Sequence, residues 1–208
     1  EQGLVTSIVS NGSKFLDQGY MEQFIPYLDW LAISIDSVDD RTNRLTGRAM
    51  NSGKTVLTKA YYQKLGEQIK LAGLKFKINT VVNRLNKDEK LSDFINEVAP
   101  MRWKVMKALR VVGQNDTYFD DLAITDQEFE TFLNLNKSVD PEIAFVPEDN
   151  SDITGSYLMI DQIGRFYDNT KGRLTYSEPI VKVGLEKALS QVEVNVKAFE
   201  DRGGLYQF

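Results

Sequence analysis

Four polar side chains on two β-prone runs are the residues most able to do chemistry. Lys75–Val82 (KFKINTVV) alternates so that Lys75, Lys77 and Asn79 share one strand face, with Phe76, Ile78 and Thr80 on the other. The next run, Trp103–Val112 (WKVMKALRVV) with Arg102 before it, sets Arg102, Lys104 and Met106 against Trp103, Val105 and Lys107. A third, Trp30–Ile35 (WLAISI), leads to Ser34 and Asp36 on the face opposite Ile33 and Ile35. Central parallel strands are normally apolar on both faces, and burying an unpaired cation costs on the order of several kcal/mol. Two arrangements answer this. Either Lys77, Arg102 and Lys104 pair with carboxylates such as Asp36, or the face lines a cavity whose cations and amide await an anion. A compact triphosphate suits the second arrangement, because Arg and Lys are good phosphate donors. A Schiff-base aldolase using Lys77 or Lys104 is an enzymatic alternative, although clustered cations suit an anion better than one isolated amine does.

Composition removes other chemistries. The 208 residues contain neither cysteine nor histidine, so disulfides, thiolate or imidazole metal sites, and Cys or Ser-His-Asp nucleophiles are excluded within this chain. The net charge of −5 argues against a polynucleotide-binding surface, which needs a broad basic face. It does not argue against a triphosphate, which needs only a few local cations. No run approaches the roughly eighteen apolar residues of a membrane helix, and no signal peptide is read, so a cytoplasmic location is expected. The chain opens on Glu1-Gln2-Gly3 and runs directly into an apolar segment; an upstream portion is therefore expected, and a membrane anchor could lie there.

The elements that must position these residues alternate between β and α periodicity. Leu4–Ser10 reads as a buried strand ended by Asn11-Gly12, and Lys14–Leu28 as a helical stretch broken near Pro26. Lys54–Ala72 reads as a helix closed by Gly73, and Asp88–Ala99 as a helix stopped at Pro100. Strand, helix, strand at this spacing predicts parallel strands with helical crossovers, and a four-stranded piece with two open edges predicts a neighbour over the first strand. Gly113–Ala123 reads as a polar loop, and Thr125 to Glu128 as a capping box opening a helix through Lys137. Ile143–Val146, Tyr157–Asp161 and Gly164–Tyr167 predict an antiparallel appendage, followed by a helix over Ile180–Glu200 and a patternless tail. Asn51-Ser52-Gly53-Lys54-Thr55 superficially suggests a phosphate-binding loop, but its spacing is wrong and no strand feeds it; it reads as a helix cap with Lys54 solvated.

The ordered strings SIVSNGS (7–13), YLDWLAISIDS (27–37), FKINTVVNRLNKDE (76–89), RWKV (102–105), FVPEDN (145–150), SYLMID (156–161), VGLEKAL (183–189) and the RGG tail (202–204) are similar, in order and spacing, to the viperin family of radical S-adenosylmethionine nucleoside triphosphate dehydratases. The resemblance spans essentially the whole chain. It implies an α/β fold: a partial (β/α)6 TIM-like barrel, of which the third to sixth strands are present in residues 1–112, and a C-terminal α+β extension in residues 113–208 that closes over the nucleotide. It also implies a 4Fe–4S cluster held by a CxxxCxxC loop upstream, a reductant for that cluster, and S-adenosylmethionine cleaved to a 5′-deoxyadenosyl radical. That radical abstracts the 4′ hydrogen of CTP, and loss of the 3′ hydroxyl gives 3′-deoxy-3′,4′-didehydro-CTP, an antiviral chain terminator.

Carried over by position, Lys77, Asn79, Arg102 and Lys104 resemble the family's triphosphate set. Tyr157 resembles the tyrosine approaching the substrate sugar, and Arg202 the tail arginine on the terminal phosphate. Asn11, Ser34 and Arg48 resemble the residues holding the methionine end of S-adenosylmethionine. No metal ligand falls within this chain; the cluster cysteines are expected upstream. Two features depart from the family: the loop after Arg48 (AMNSGKTV) is longer than in the animal members, and Leu174 stands where a Lys follows Gly172-Arg173. The base preference therefore stays open between CTP and another triphosphate. A non-catalytic nucleotide-binding or scaffold protein lacking the iron–sulfur half is the reading from another class.

Overall fold

The computed structural model describes residues 5–50, 52 and 54–202. In chain order its strands are β1 (Ser7–Ser10), β2 (Trp30–Ser34), β3 (Ala49–Met50), β4 (Thr55–Val56), β5 (Lys75–Val82), β6 (Arg102–Lys107), β7 (Ala144–Glu148), β8 (Met159–Ile160), β9 (Arg165–Asp168) and β10 (Thr175–Pro179). The helices are α1 (Asp40–Leu45), α2 (Lys59–Leu71), α3 (Ser92–Val98), α4 (Asp116–Leu122), α5 (Asp126–Leu135), α6 (Asn150–Ile153), α7 (Ile180–Val183), α8 (Leu185–Leu189) and α9 (Val196–Asp201). The chain forms two compact units, residues 1–107 with 124–147, and residues 108–123 with 148–208.

The first unit is mixed α/β around a sheet of order β1-β2-β5-β6-β7. The pairs β1–β2, β2–β5 and β5–β6 are parallel, as the crossover spacing requires. One face of these strands is the core. Leu31, Ile33 and Ile35, then Phe76, Ile78 and Val82, then Trp103 and Val105 cluster with Leu65 and Ile69 of α2, Phe94 and Ile95 of α3, and Phe129 and Phe132 of α5. Each such side chain contributes roughly 1.5–3 kcal/mol by leaving water. Polar atoms in that layer are satisfied. The Trp103 indole N–H donates to Thr80 Oγ1 at 2.9 Å, and the Thr80 hydroxyl donates to the Ile35 carbonyl at 2.7 Å, tying three strands together. At Gly12 (φ +85°) an added Cβ would stand 2.7 Å from Leu65 Cδ2, so the turn after β1 closes onto α2 only without a side chain.

Several expectations are corrected. Lys14–Leu28 contains two single 3₁₀ turns, Met21–Gln23 and Ile25–Tyr27, because Pro26 and an aromatic cluster of Phe15, Tyr20 and Phe24 set the path. The helix expected from Lys54 begins at Lys59, where the Thr58 side chain accepts the Tyr61 N–H; Thr55 and Val56 instead pair antiparallel with Ala49 and Met50. Positions 51 and 53 of the supposed cap, Leu4, and Gly203–Gly204 of the tail lie outside the described residues. The strand expected to reach Val112 stops at Lys107, and part of the expected polar loop is α4. The segment around Ile143–Val146 is not in the appendage; it forms β7, beside β6 in the main sheet.

The second unit is an antiparallel sheet of order β10-β9-β8 with short helices. The long helix expected over Ile180–Glu200 is three pieces, α7, α8 and α9. Gly184 has φ +85° and caps α7 with its N–H on the Ile180 carbonyl, which ends one helix and starts the next. No helix among the described residues is long and apolar enough to cross a membrane.

Candidate functional site

In the first unit the sheet register assembles the polar face. Lys77 stands opposite Arg102 and Asn79 opposite Lys104, while Ala32 and Ser34 of β2 flank Lys77 and Asn79. Paired residues of neighbouring strands project to the same side, about 4.8 Å apart along the sheet, so the four side chains form one two-by-two patch. Lys77, Asn79 and Lys104 are buried, and Arg102 is half-buried. Three cations and an amide share this face with Ala32 and Ser34. Asn79 Oδ1 is buried without a hydrogen-bond partner, an arrangement that costs roughly 1–3 kcal/mol unless something else satisfies it.

Asp36 is engaged by Arg48 and Val81. Its Oδ2 takes Arg48 Nε at 2.5 Å and its Oδ1 accepts the Val81 N–H at 2.9 Å. Arg48 leads into β3 and lines a cavity of about 100 Å³ with Asn11, Ser34, Gly47, Ala49, Met50, Leu57 and Tyr62. The three residues read from sequence as a cofactor set, 37 positions apart at their extremes, thus meet in one place. Asn11 spends its Oδ1 on the Ser13 N–H, so its amide nitrogen remains a donor. The cavity is smaller than the roughly 300–1,000 Å³ that encloses a whole cofactor, and it suits the amino-acid end of one. Burial pushes the Tyr62 phenol up to about 12, with Arg48 opposing and Asp36 reinforcing the shift, so the tyrosine is neutral there.

In the second unit Tyr157 and Arg202 also meet. Arg202 donates from one terminal nitrogen to Glu148 Oε1 (3.2 Å) and to the Tyr157 hydroxyl (3.1 Å), and from the other to the Ser156 carbonyl (3.3 Å). The Tyr157 hydroxyl donates to Glu148 Oε2 at 3.2 Å. The guanidinium stacks 3.9 Å over the Tyr157 ring and 5.0 Å from that of Phe199. The Arg202 and Glu148 side chains are only 5% and 1% exposed. Sequence reasoning missed Glu148 in this role, as it missed the partnership of Asp36 with Arg48; a single carboxylate in FVPEDN carries no local signal of a partner 54 residues later.

The fold and site define an α/β protein whose parallel sheet presents a cationic face beside a small polar cavity. No protein-family model matches the chain. Relatives do: it is 44% identical over 206 residues to an S-adenosylmethionine-dependent nucleotide dehydratase of Lacinutrix mariniflava, covering 99% of this chain and 42% of that one. It is 40% identical to one of Flammeovirga pacifica, covering 99% of this chain and 69% of that one, and 37% identical to one of Siniperca chuatsi, covering 96% and 56%. A solved structure of Streptococcus suis SuiB bound to precursor peptide SuiA overlaps 72% of this chain and 41% of that one at 14% identity, with a TM-score of 0.40. The chain belongs to the S-adenosylmethionine-dependent nucleotide dehydratases, the viperin family. It spans 42% of the Lacinutrix relative's length.

Proposed function

We propose that this chain supplies the nucleotide-holding and cofactor-orienting residues of a radical S-adenosylmethionine dehydratase that converts CTP, or another nucleoside triphosphate, to its 3′-deoxy-3′,4′-didehydro form. The carrying observation is the patch of Lys77, Asn79, Arg102 and Lys104, whose charge and buried amide acceptor match a triphosphate. In this reading residues 1–112 are the third-to-sixth-strand arc of a (β/α)6 barrel and residues 113–208 its extension. Lys77, Arg102 and Lys104 neutralise phosphate oxygens. The Asn79 amide orients the triphosphate through its nitrogen, and its free oxygen accepts from a substrate hydroxyl or a bound water. As the family resemblance implies, Tyr157 is assigned to the sugar and Arg202 to the terminal phosphate.

Asn11, Ser34 and Arg48 fit the amino-acid end of S-adenosylmethionine: a cation and two neutral polar groups line the cavity beside the apolar Met50 and Leu57. When bound and reductively cleaved, that cofactor supplies the radical that removes the 4′ hydrogen. A 4Fe–4S cluster does not fit these residues, since the sequence has no cysteine or histidine and the described residues contain no group of three possible ligands. Calorimetric titration with CTP, the other triphosphates and tripolyphosphate tests the reading. The unsubstituted chain is expected to bind triphosphates, and Lys77→Ala/Lys104→Ala to lose at least tenfold in affinity, since each charge-assisted contact is worth roughly 1.5–3 kcal/mol. Equal affinity in the double variant would refute the assignment.

A further inference from the structure

We infer that Asp36 is a positioning residue that aims Arg48 at the carboxylate of the cofactor's amino-acid end; this rests on the reading of the cavity given above. Asp36 lies two residues past β2, and its side chain is 5% exposed. It is immobilised from three sides. Val81 N–H holds Oδ1 at 2.9 Å, Asn86 Nδ2 donates to the Asp36 carbonyl at 2.7 Å, and Arg48 Nε meets Oδ2 at 2.5 Å. Both strands next to it, β2 and β5, are therefore fixed relative to its carboxylate.

The contact uses the Nε edge of the guanidinium. A monodentate grip there leaves the two terminal nitrogens, the fork that fits a carboxylate with two parallel hydrogen bonds. Arg48 otherwise has the freedom of a loop residue, being 36% exposed, and a long side chain that must be ordered on binding weakens affinity. Asp36 does that ordering beforehand. Closure of the loop itself has other supports: the Arg48 N–H donates to the Asn43 carbonyl at 2.7 Å, and Asn43 Nδ2 donates to the Ser37 carbonyl at 3.0 Å. A structural role alone leaves the choice of the Nε edge unexplained.

The test is Asp36→Asn in the whole chain. Its amide oxygen can still accept from Val81, while its NH₂ faces the Arg48 Nε–H donor to donor. Two readouts are taken: the exchange-protected Nε–H resonance of Arg48, and titration with S-adenosylmethionine against its decarboxylated analogue. The expected result is loss of the protected resonance and about a tenfold loss of affinity for S-adenosylmethionine (~1.4 kcal/mol), with affinity for the decarboxylated analogue unchanged. Arg48→Lys, at a part-exposed site, is expected to show the same loss of discrimination. A variant that merely melts earlier while still preferring the carboxylate-bearing ligand would overturn the inference, as would full discrimination by Arg48→Lys. If the unsubstituted chain binds both ligands alike while the resonance still depends on Asp36, the cavity reading fails rather than the contact, and the inference falls with it.

Discussion

Glu148→Ala should release the C-terminal helix without melting the unit that carries it. The substitution removes the carboxylate facing Arg202, whose side chain is 5% exposed. Breaking a buried ion pair costs roughly 3–5 kcal/mol when the remaining charge stays buried. Here the guanidinium keeps the Tyr157 hydroxyl, the Ser156 carbonyl and the Tyr157 ring, which places the cost nearer ~2–3 kcal/mol. The alternative open to the molecule is to let Arg202 leave. α9 has no buried residue, and Val196 is 59% exposed, so release forfeits little apolar burial and relieves the whole penalty. Local opening therefore wins over global unfolding. Hydrogen exchange should show the amides of Val196–Asp201 exchanging roughly thirty- to a hundred-and-sixtyfold faster, the equivalent of ~2–3 kcal/mol, with tryptic cleavage after Lys197 enhanced and the melting temperature of the chain moved little. Glu148→Gln, which keeps the acceptor and loses the charge, should fall between. Unchanged exchange in α9 beside a melting temperature lowered by many degrees would refute the reasoning.

Other outcomes follow from single contacts. Thr80→Val preserves shape but strands the Trp103 indole N–H and the Ile35 carbonyl in the core; at roughly 1–3 kcal/mol for each stranded group, urea unfolding should show a loss of about 2–4 kcal/mol, and a loss under ~0.5 would contradict it. Tyr62 ionises near 12 in the folded chain against 10 unfolded, so ionisation favours the unfolded state and stability declines as pH rises through that window, by roughly 2–3 kcal/mol at its top. Tyr62→Phe should remove that alkaline decline, and phenolate absorbance should follow it in the parent chain. Glu89 is raised above the usual carboxylate range, by burial first and against the hydrogen bonds from Ser37 and Val38. The folded state thus holds its proton more tightly, and stability falls as pH rises through the folded pKa. Glu89→Gln should stabilise the chain at neutral pH, with the gain vanishing below the unfolded carboxylate pKa of about 4.3; a gain that persists in acid would sink this account.

Much of the parallel sheet is legible in the sequence because its signal is local. WLAIS and KFKINTVV read as strands, and the structure has strands there. Thr125 and Glu128 announce a capping box, and both of its hydrogen bonds form. Where tertiary contacts decide, sequence reading fails. Asn136 looks like an ordinary polar residue near a helix end, yet it is fully buried, accepts the Leu91 and Ser92 N–H groups and donates to the Glu89 and Phe132 carbonyls. It thereby supplies the cap that α3 lacks locally. The apparent helix over Ile180–Glu200 has the right composition, and a single left-handed glycine with competing side-chain contacts breaks it. The β3–β4 hairpin replaces helix because two-residue strands carry almost no periodicity.

The site divides along the same physical line. Strand parity alone puts Lys77 with Asn79 and Arg102 with Lys104, since alternation is a property of neighbours in sequence. Register joins the two pairs. What parity cannot say is which charged groups are already matched. Arg48, Lys107 and Arg202 are equally basic in sequence, and each is answered by a carboxylate of its own: Asp36, Asp126 and Glu148. Such pairs fix where a guanidinium or ammonium group sits, which strand parity does not report. Asn79 differs, because its buried oxygen is left without a partner in the middle of a cationic patch. A ligand that brings its own donors, hydroxyls or ordered water, would satisfy that oxygen. On the reading proposed above, the sugar hydroxyls of a bound nucleotide are such donors.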